Sequence, residues 1–162
     1  LEIDVDTLNG VACNVYKSEM SFAQYGTAFD AVWCEETGKF ALLTTDQKLH
    51  ILNENLSASV KNVALNNGSL APTSVCADGK FIYVNYKNGN NKTENSVDVY
   101  TWDGEKVGSF DISGFTLGTD VNFNVQGIYF IGDELHATVC SWTTGYMKYH
   151  DWIVNINEDT LK

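Results

Sequence analysis

The sequence predicts an all-β fold made of repeated antiparallel sheets, and three observations predict it. Short runs rich in Val, Ile, Tyr, Phe and Thr alternate in polarity between clusters of Asn, Asp and Gly. No stretch holds apolar residues at i, i+3, i+4 and i+7 between helix caps over three turns, so little helix is expected. A short motif also returns: Gly38-Lys39-Phe40 reappears 41 residues later as Gly79-Lys80-Phe81.

The strands read in order as Phe40 to Thr45, Lys48 to Leu52, Phe81 to Tyr86, Val97 to Thr101, Gly127 to Ile131 and Trp152 to Ile156. In each, successive side chains point to opposite faces, and β-branched or aromatic residues suit a pleated, half-buried surface. Further strands at Val60 to Leu65 and Val107 to Ile112 close the first two sets. Asp78-Gly79, Asp103-Gly104 and Gly132-Asp133 are the hairpin turns, and each supplies a residue that tolerates positive φ.

These strands recur as a set. Cys34 to Phe40 is answered by Cys76 to Phe81, and Ile131 to Leu135 is a looser third copy. Four antiparallel strands per unit of about 40 to 50 residues is the period of a β-propeller blade. The reading is therefore a propeller segment of about three four-stranded blades forming one domain over 1–162. The blades fall near 26–66, 71–113 and 121–162, with a partial unit over 1–25. Ile3 to Leu8 resembles Ile156 to Leu161, so the chain enters and leaves the repeat at nearly the same phase, and the last blade reads as lacking its fourth strand. Three blades do not close a ring readily. The remaining blades are expected from a longer parent chain or, second, from a partner chain. The alternative is a compressed four-bladed propeller that uses the first 25 residues.

Composition narrows the function. The chain has 162 residues, 21 Asp plus Glu against 10 cations, all Lys, and a formal charge of −11. Phosphate neutralisation needs clustered Lys and Arg, so neither nucleic acid nor an anionic membrane is an expected partner. No apolar run is long enough for a membrane helix and no signal peptide is visible. Cys13, Cys34, Cys76 and Cys140 form no CxxC and have no His at ligand spacing, so no metal or other cofactor is expected. Each lies beside a short apolar stretch, which reads as a buried free thiol. Clustered Asp and Asn oxygens suit calcium, but the spacing of an EF-hand loop is missing.

The opening Phe22-Ala23-Gln24-Tyr25-Gly26-Thr27-Ala28-Phe29-Asp30-Ala31-Val32, followed by Thr37-Gly38-Lys39-Phe40, resembles the inner-strand opening of YncE-like propeller blades. Val125-Gln126-Gly127-Ile128-Tyr129-Phe130 is similar to the Glu-Gly-Ile opening of such blades, with Gln126 in place of the Glu, and Ala28 likewise departs from the usual form. Similar blades occur in receptor-binding and tail-fibre proteins of phages that infect low-GC Gram-positive bacteria. The resemblance implies an extracellular or virion module that meets bacterial surface glycans.

Among the residues that carry chemistry, Trp142, Tyr146 and Tyr149 flank an expected hairpin tip at Thr144-Gly145. Exposed rings bordered by polar groups suit sugars, whose C–H faces stack while hydroxyls pair with Asn, Asp and His. His136 and Asp30 complete the candidate ligand set; the competing reading is that the rings fill space between blades. A glycosidase would draw on Asp30, Asp120 or Glu134, and it needs two carboxyls in defined proximity, which linear spacing does not show. No GxSxG elbow supports a nucleophile near His50, His136 or His150. His50 lies in an alternating strand and reads as a strand-face residue. The polar loop Lys87 to Asn95 reads as a hairpin excursion. The expected function is a non-enzymatic binding or structural module that recognises a surface glycan or other saccharide. A carbohydrate-active propeller enzyme and a pure assembly scaffold are the alternatives.

Overall fold

The computed structural model describes residues 2–4, 9–11, 27–54, 59–88, 95–112, 122–143 and 146–156. All regular elements among them are strands. β1 (Glu2–Asp4) and β2 (Asn9–Val11) form an antiparallel pair, and they are the only described part of the unit expected over 1–25. Three sheets follow along the chain.

The first sheet is the meander β3 (Ala28–Cys34), β4 (Lys39–Thr44), β5 (Lys48–Asn53) and β6 (Ser59–Ala64). The second repeats it as β7 (Leu70–Ala77), β8 (Phe81–Asn88), β9 (Asn95–Thr101) and β10 (Lys106–Asp111). The third has β11 (Asn122–Ile131), β12 (Glu134–Thr143) and β13 (Tyr146–Val154) among the described residues. Every neighbouring pair is antiparallel.

The sheets stack face to face, and alternation along each strand decides which residues meet. In the first sheet Ala41, Leu43, Leu49 and Ile51 point one way and are fully buried against Ile82, Val84, Tyr86 and Trp102 of the second. The opposite face of the second sheet turns Cys76, Tyr83, Val97 and Val99 toward Ile128, Leu135, Ala137 and Val139 of the third. These two apolar seams are the core, and burying a Leu or Ile side chain there contributes about 1.5–3 kcal/mol. In each sheet the face toward the following sheet is termed trailing, and the face toward the preceding one leading.

Each inner strand carries a β-bulge at the same place. Register shifts between Ala28 and Asp30, between Pro72 and Ser74, and between Val125 and Gly127, leaving Phe29, Thr73 and Gln126 as the extra residues. Pro72 is tolerated because β7 is the edge of its own sheet. In the first two sheets the residue after the bulge faces the next sheet. Asp30 Oδ2 accepts the Val75 amide at 2.7 Å, and Ser74 Oγ accepts the Ile128 amide at 3.1 Å.

The turns match the sequence reading with one correction. Gly104 and Gly132 adopt φ of 81° and 59°, as hairpins with these residues require. Gly79 does not take positive φ. A Cβ there would lie 1.6 Å from Glu36 Oε2, the tip of an exposed side chain, because the β3–β4 and β7–β8 hairpins approach each other. The expected tip at Thr144-Gly145, the middle of the Lys87 to Asn95 loop, Cys13 and Asp120 lie outside the described residues. Cys34, Cys76 and Cys140 are buried free thiols, and burial pushes the Cys76 thiol well above its ordinary range.

Candidate functional site

The third sheet differs from the other two in the chemistry of its trailing face. Counted from the bulges, Val32, Cys76 and Tyr129 are equivalent positions, paired across strands with Ala41, Tyr83 and His136, which pair in turn with Ile51, Val99 and Ile153. In the first two sheets these positions are apolar or aromatic and sit in the seams. In the third they hold Tyr129 and His136, with Asp151 two residues before Ile153.

Cross-strand pairing joins these groups. Asp151 Oδ2 lies 2.9 Å from His136 Nδ1, and Asp151 Oδ1 accepts the Tyr129 hydroxyl at 2.6 Å. The Tyr129 ring stacks on the imidazole with centroids 5.5 Å apart. His136 is buried, and its Nε2 stands 3.9 Å from Glu134 Oε2. The Tyr129 hydroxyl and then His136 hold the Asp151 carboxyl below its ordinary range, and the same bond to Asp151 raises the Tyr129 phenol. The cluster is an anionic acceptor fixed in orientation by two neighbours, on a half-exposed carboxylate.

Tyr149 lies on the same face two positions before Asp151 and is 64% exposed. Trp142 and Tyr146 pair with Met147 and Thr143 near the end of the β12–β13 hairpin; their side chains lie outside the described part. β11 extends four residues ahead of its bulge, β7 three and β3 one. The structure therefore gathers His136 and Tyr149 on one face of the third sheet and places Trp142 and Tyr146 in the same hairpin. Asp30 stands apart on the first sheet, where its two oxygens accept the amides of Val75 and Ala31. Tyr129 and Asp151 were missed from sequence, although Tyr149, Asp151 and Ile153 fall at i, i+2 and i+4 on one strand face, and that spacing is readable.

The other sequence candidates have structural roles. Asp30 and Glu134 belong to the first and third sheets with the second between them, so they do not pair as glycosidase acids. His50 is buried in a polar chain, with Nδ1 2.5 Å from Asn62 Oδ1 and Nε2 3.1 Å from Thr44 Oγ1. His150 Nε2 lies 3.3 Å from Ser141 Oγ. Among the described residues no group of three or more His, Cys, Asp or Glu is placed to hold a metal ion. No helix there is long and apolar enough to cross a membrane.

A cavity of about 340 Å³ opens beside the β11–β12 turn, between the second and third sheets. Tyr83, Phe130 and Ile153 line it together with Asp78, Asp133 and Glu134. Asp78 is already occupied, capping the Lys80 and Phe81 amides and accepting the Tyr83 hydroxyl.

No family model matches the chain, and no curated protein does. Among solved structures it is similar to the tail fibre of Staphylococcus aureus phage P68, at 14% identity and a TM-score of 0.56 over 72% of this chain and 26% of that one. Sqt1 of Saccharomyces cerevisiae is similar at 14% identity and a TM-score of 0.50, over 82% of this chain and 38% of that one. The β-propeller domain of Cps50 (Swd1) from Myceliophteria thermophila follows at 9% identity and a TM-score of 0.47, over 82% and 41%. The chain thus spans 26–41% of the length of these three structures. Successive antiparallel sheets of four, four and three strands, stacked on apolar seams, make the chain a partial β-propeller.

Proposed function

We propose that the chain is a non-enzymatic recognition module of an extracellular assembly such as a phage tail, and that its third sheet binds a saccharide of the bacterial surface. One observation carries the reading: the open Tyr149 ring shares a strand face with the half-exposed Asp151 carboxylate, whose orientation Tyr129 and His136 fix. A sugar ring stacks its C–H face on such an aromatic plane, and a hydroxyl donates to the fixed carboxylate. Trp142 and Tyr146 belong to the same β12–β13 hairpin and are the further candidate rings. His136, being buried, acts by positioning Asp151. The set does not draw on Asp30, whose carboxylate is engaged by backbone amides.

Binding to a glycan array and to purified cell-wall polymer tests this. Tyr149→Ala and Trp142→Ala are each expected to lower affinity about tenfold or more, by analogy with the loss of one stacked ring. Absence of binding to any surface polymer by the wild-type chain contradicts the proposal.

A further inference from the structure

His136 keeps one ring nitrogen without a partner. The residue is 7% exposed, and its Nε2 is buried with no hydrogen bond. The other nitrogen decides what Nε2 can do. Asp151 Oδ2, 2.9 Å from Nδ1, is a carboxylate oxygen and can only accept, so Nδ1 carries the proton. In the neutral ring Nε2 is then a bare acceptor. Glu134 Oε2 stands 3.9 Å from it, too far for a bond, and is itself an acceptor. Two acceptors, one of them anionic, thus face each other with no donor of the described chain between them. An acceptor left dry in this way costs free energy that a ligand N–H returns.

The surroundings set the charge of that ligand. Asp133 precedes Glu134 in the β11–β12 turn, and Asp151 holds the far side of the imidazole. Lys148 is the only lysine among the described residues of the third sheet, and strand alternation sets it at the register position opposite to those of Tyr149 and Asp151. Asp133, Glu134 and Ile153 also line the cavity of about 340 Å³ beside the turn, so Glu134 has open volume next to it. Its side chain is 63% exposed and free to swing, which opens the way to Nε2. A saccharide bearing phosphate or uronate would meet only like charge here.

We propose that the saccharide taken by this face carries a free primary ammonium, as a hexosamine without its N-acetyl group does, and that Glu134 and His136 Nε2 bind that group. An ammonium nitrogen about 2.8–3.0 Å from each atom fits the 3.9 Å span and donates one hydrogen to either. A hydroxyl has one hydrogen and serves one acceptor. An N-acetyl amide has one N–H, no charge and an added acyl group. Two converging protein groups are too few for a structural metal ion. Tyr149 and Ile153 are four residues apart on β13, about 13 Å at a strand's rise, so a ligand stacked on Tyr149 reaches Glu134 only as an oligosaccharide. The inference rests on the saccharide reading and gives it a ligand class.

Isothermal titration calorimetry with tetrasaccharides of glucosamine, N-acetylglucosamine and glucose, all of one linkage, tests it. The glucosamine tetramer is expected to bind about tenfold or more tighter than the other two. Glu134→Gln lowers its affinity about fivefold, the upper range for an exposed ion pair, and leaves the other two unchanged. Glu105→Gln removes the same charge at an exposed turn of the second sheet and changes none of the three, which excludes general attraction to an acidic chain. Nitrogen-15 spectra of the histidine ring show Nε2 unprotonated in the free chain at neutral pH, and its resonance moves on adding the glucosamine tetramer. Equal or tighter binding of the N-acetylated or neutral tetramer overturns the proposal and leaves the saccharide reading standing. Binding of none of the three also overturns it, and the glycan array then decides the saccharide reading separately. An equal loss in Glu105→Gln, or a protonated Nε2 in the free chain, overturns it as well.

Discussion

Asp30 on β3 accepts the backbone amide of Val75 on β7 at 2.7 Å, across the seam between the first two sheets. The next sheet repeats the device: Ser74, the equivalent of Asp30 after its bulge, accepts the amide of Ile128 at 3.1 Å. The bulge makes this possible by breaking the ladder locally, which turns one side chain and one amide sideways toward the neighbouring inner strand. Gly127, the equivalent in the third sheet, has no acceptor to offer.

Removing either acceptor strands an amide at a seam. Asp30→Ala and Ser74→Ala should each cost about 1–3 kcal/mol in urea unfolding, whereas Asp30→Asn keeps an oxygen and should cost less. Equal losses for Asn and Ala at position 30 would deny the hydrogen bond its role.

Gly79→Ala should cost little, because the new methyl meets only the tip of the exposed Glu36 side chain, which can swing aside, and the backbone there is not left-handed. Urea unfolding should place the variant within about 0.5 kcal/mol of the wild type. A loss above about 2 kcal/mol would mean that Glu36 is held rigidly against the turn.

The first seam also holds a polar network. Lys106 Nζ stands 2.7 Å from the buried Asp98 carboxylate, Tyr100 donates to its other oxygen at 3.3 Å, and the Tyr86 and Tyr100 hydroxyls lie 3.3 Å apart. Burial, aided by Asp98, pushes the Tyr100 phenol up from 10.0 to about 12, and burial drives Tyr86 higher still. A raised folded value means stability that is complete below the ordinary value of 10.0 and lost as pH rises through the folded one. Ultraviolet titration should show these two phenols ionising late, and thermal midpoints should fall between pH 10 and 12. Ionisation of both near pH 10 while the chain stays folded would contradict this burial.

Asp151 gives the opposite sign. Its depressed folded value stabilises the third sheet at pH above the ordinary 3.8, and the contribution is lost as pH falls below that. Asp151→Asn should flatten the acid limb of the thermal midpoint against pH and weaken saccharide binding at neutral pH. An unchanged acid limb would remove the cluster's electrostatic role.

The stacked sheets were legible because strand alternation and the Gly-Lys-Phe recurrence are local signals that survive in one sequence. The bulges were not, since Phe29, Thr73 and Gln126 share no chemistry. Without the bulges the Asp30 and Ser74 contacts are invisible, and Asp30 reads as a ligand residue instead. The ligand face was half legible. Tyr149 and His136 stood out as an aromatic and a histidine near a turn, but joining Tyr129 to Asp151 needs a cross-strand register that shifts at Gln126. The Gly79 turn was misread because an Asp-Gly pair permits positive φ without requiring it, and Gly79 does not adopt it.

The account rests on sheets stacked in chain order, each touching only its neighbours. Methyl-to-methyl nuclear Overhauser effects in a selectively labelled sample test that most directly. Contacts should join Ile51 and Leu49 to Ile82 and Val84, and Val97 and Val99 to Ile128 and Ala137, with none linking the first seam's residues to the third sheet. Strong effects between Ile51 or Leu49 and Leu135 or Val139 would mean a closed sandwich, and the stacked arrangement would fail with them.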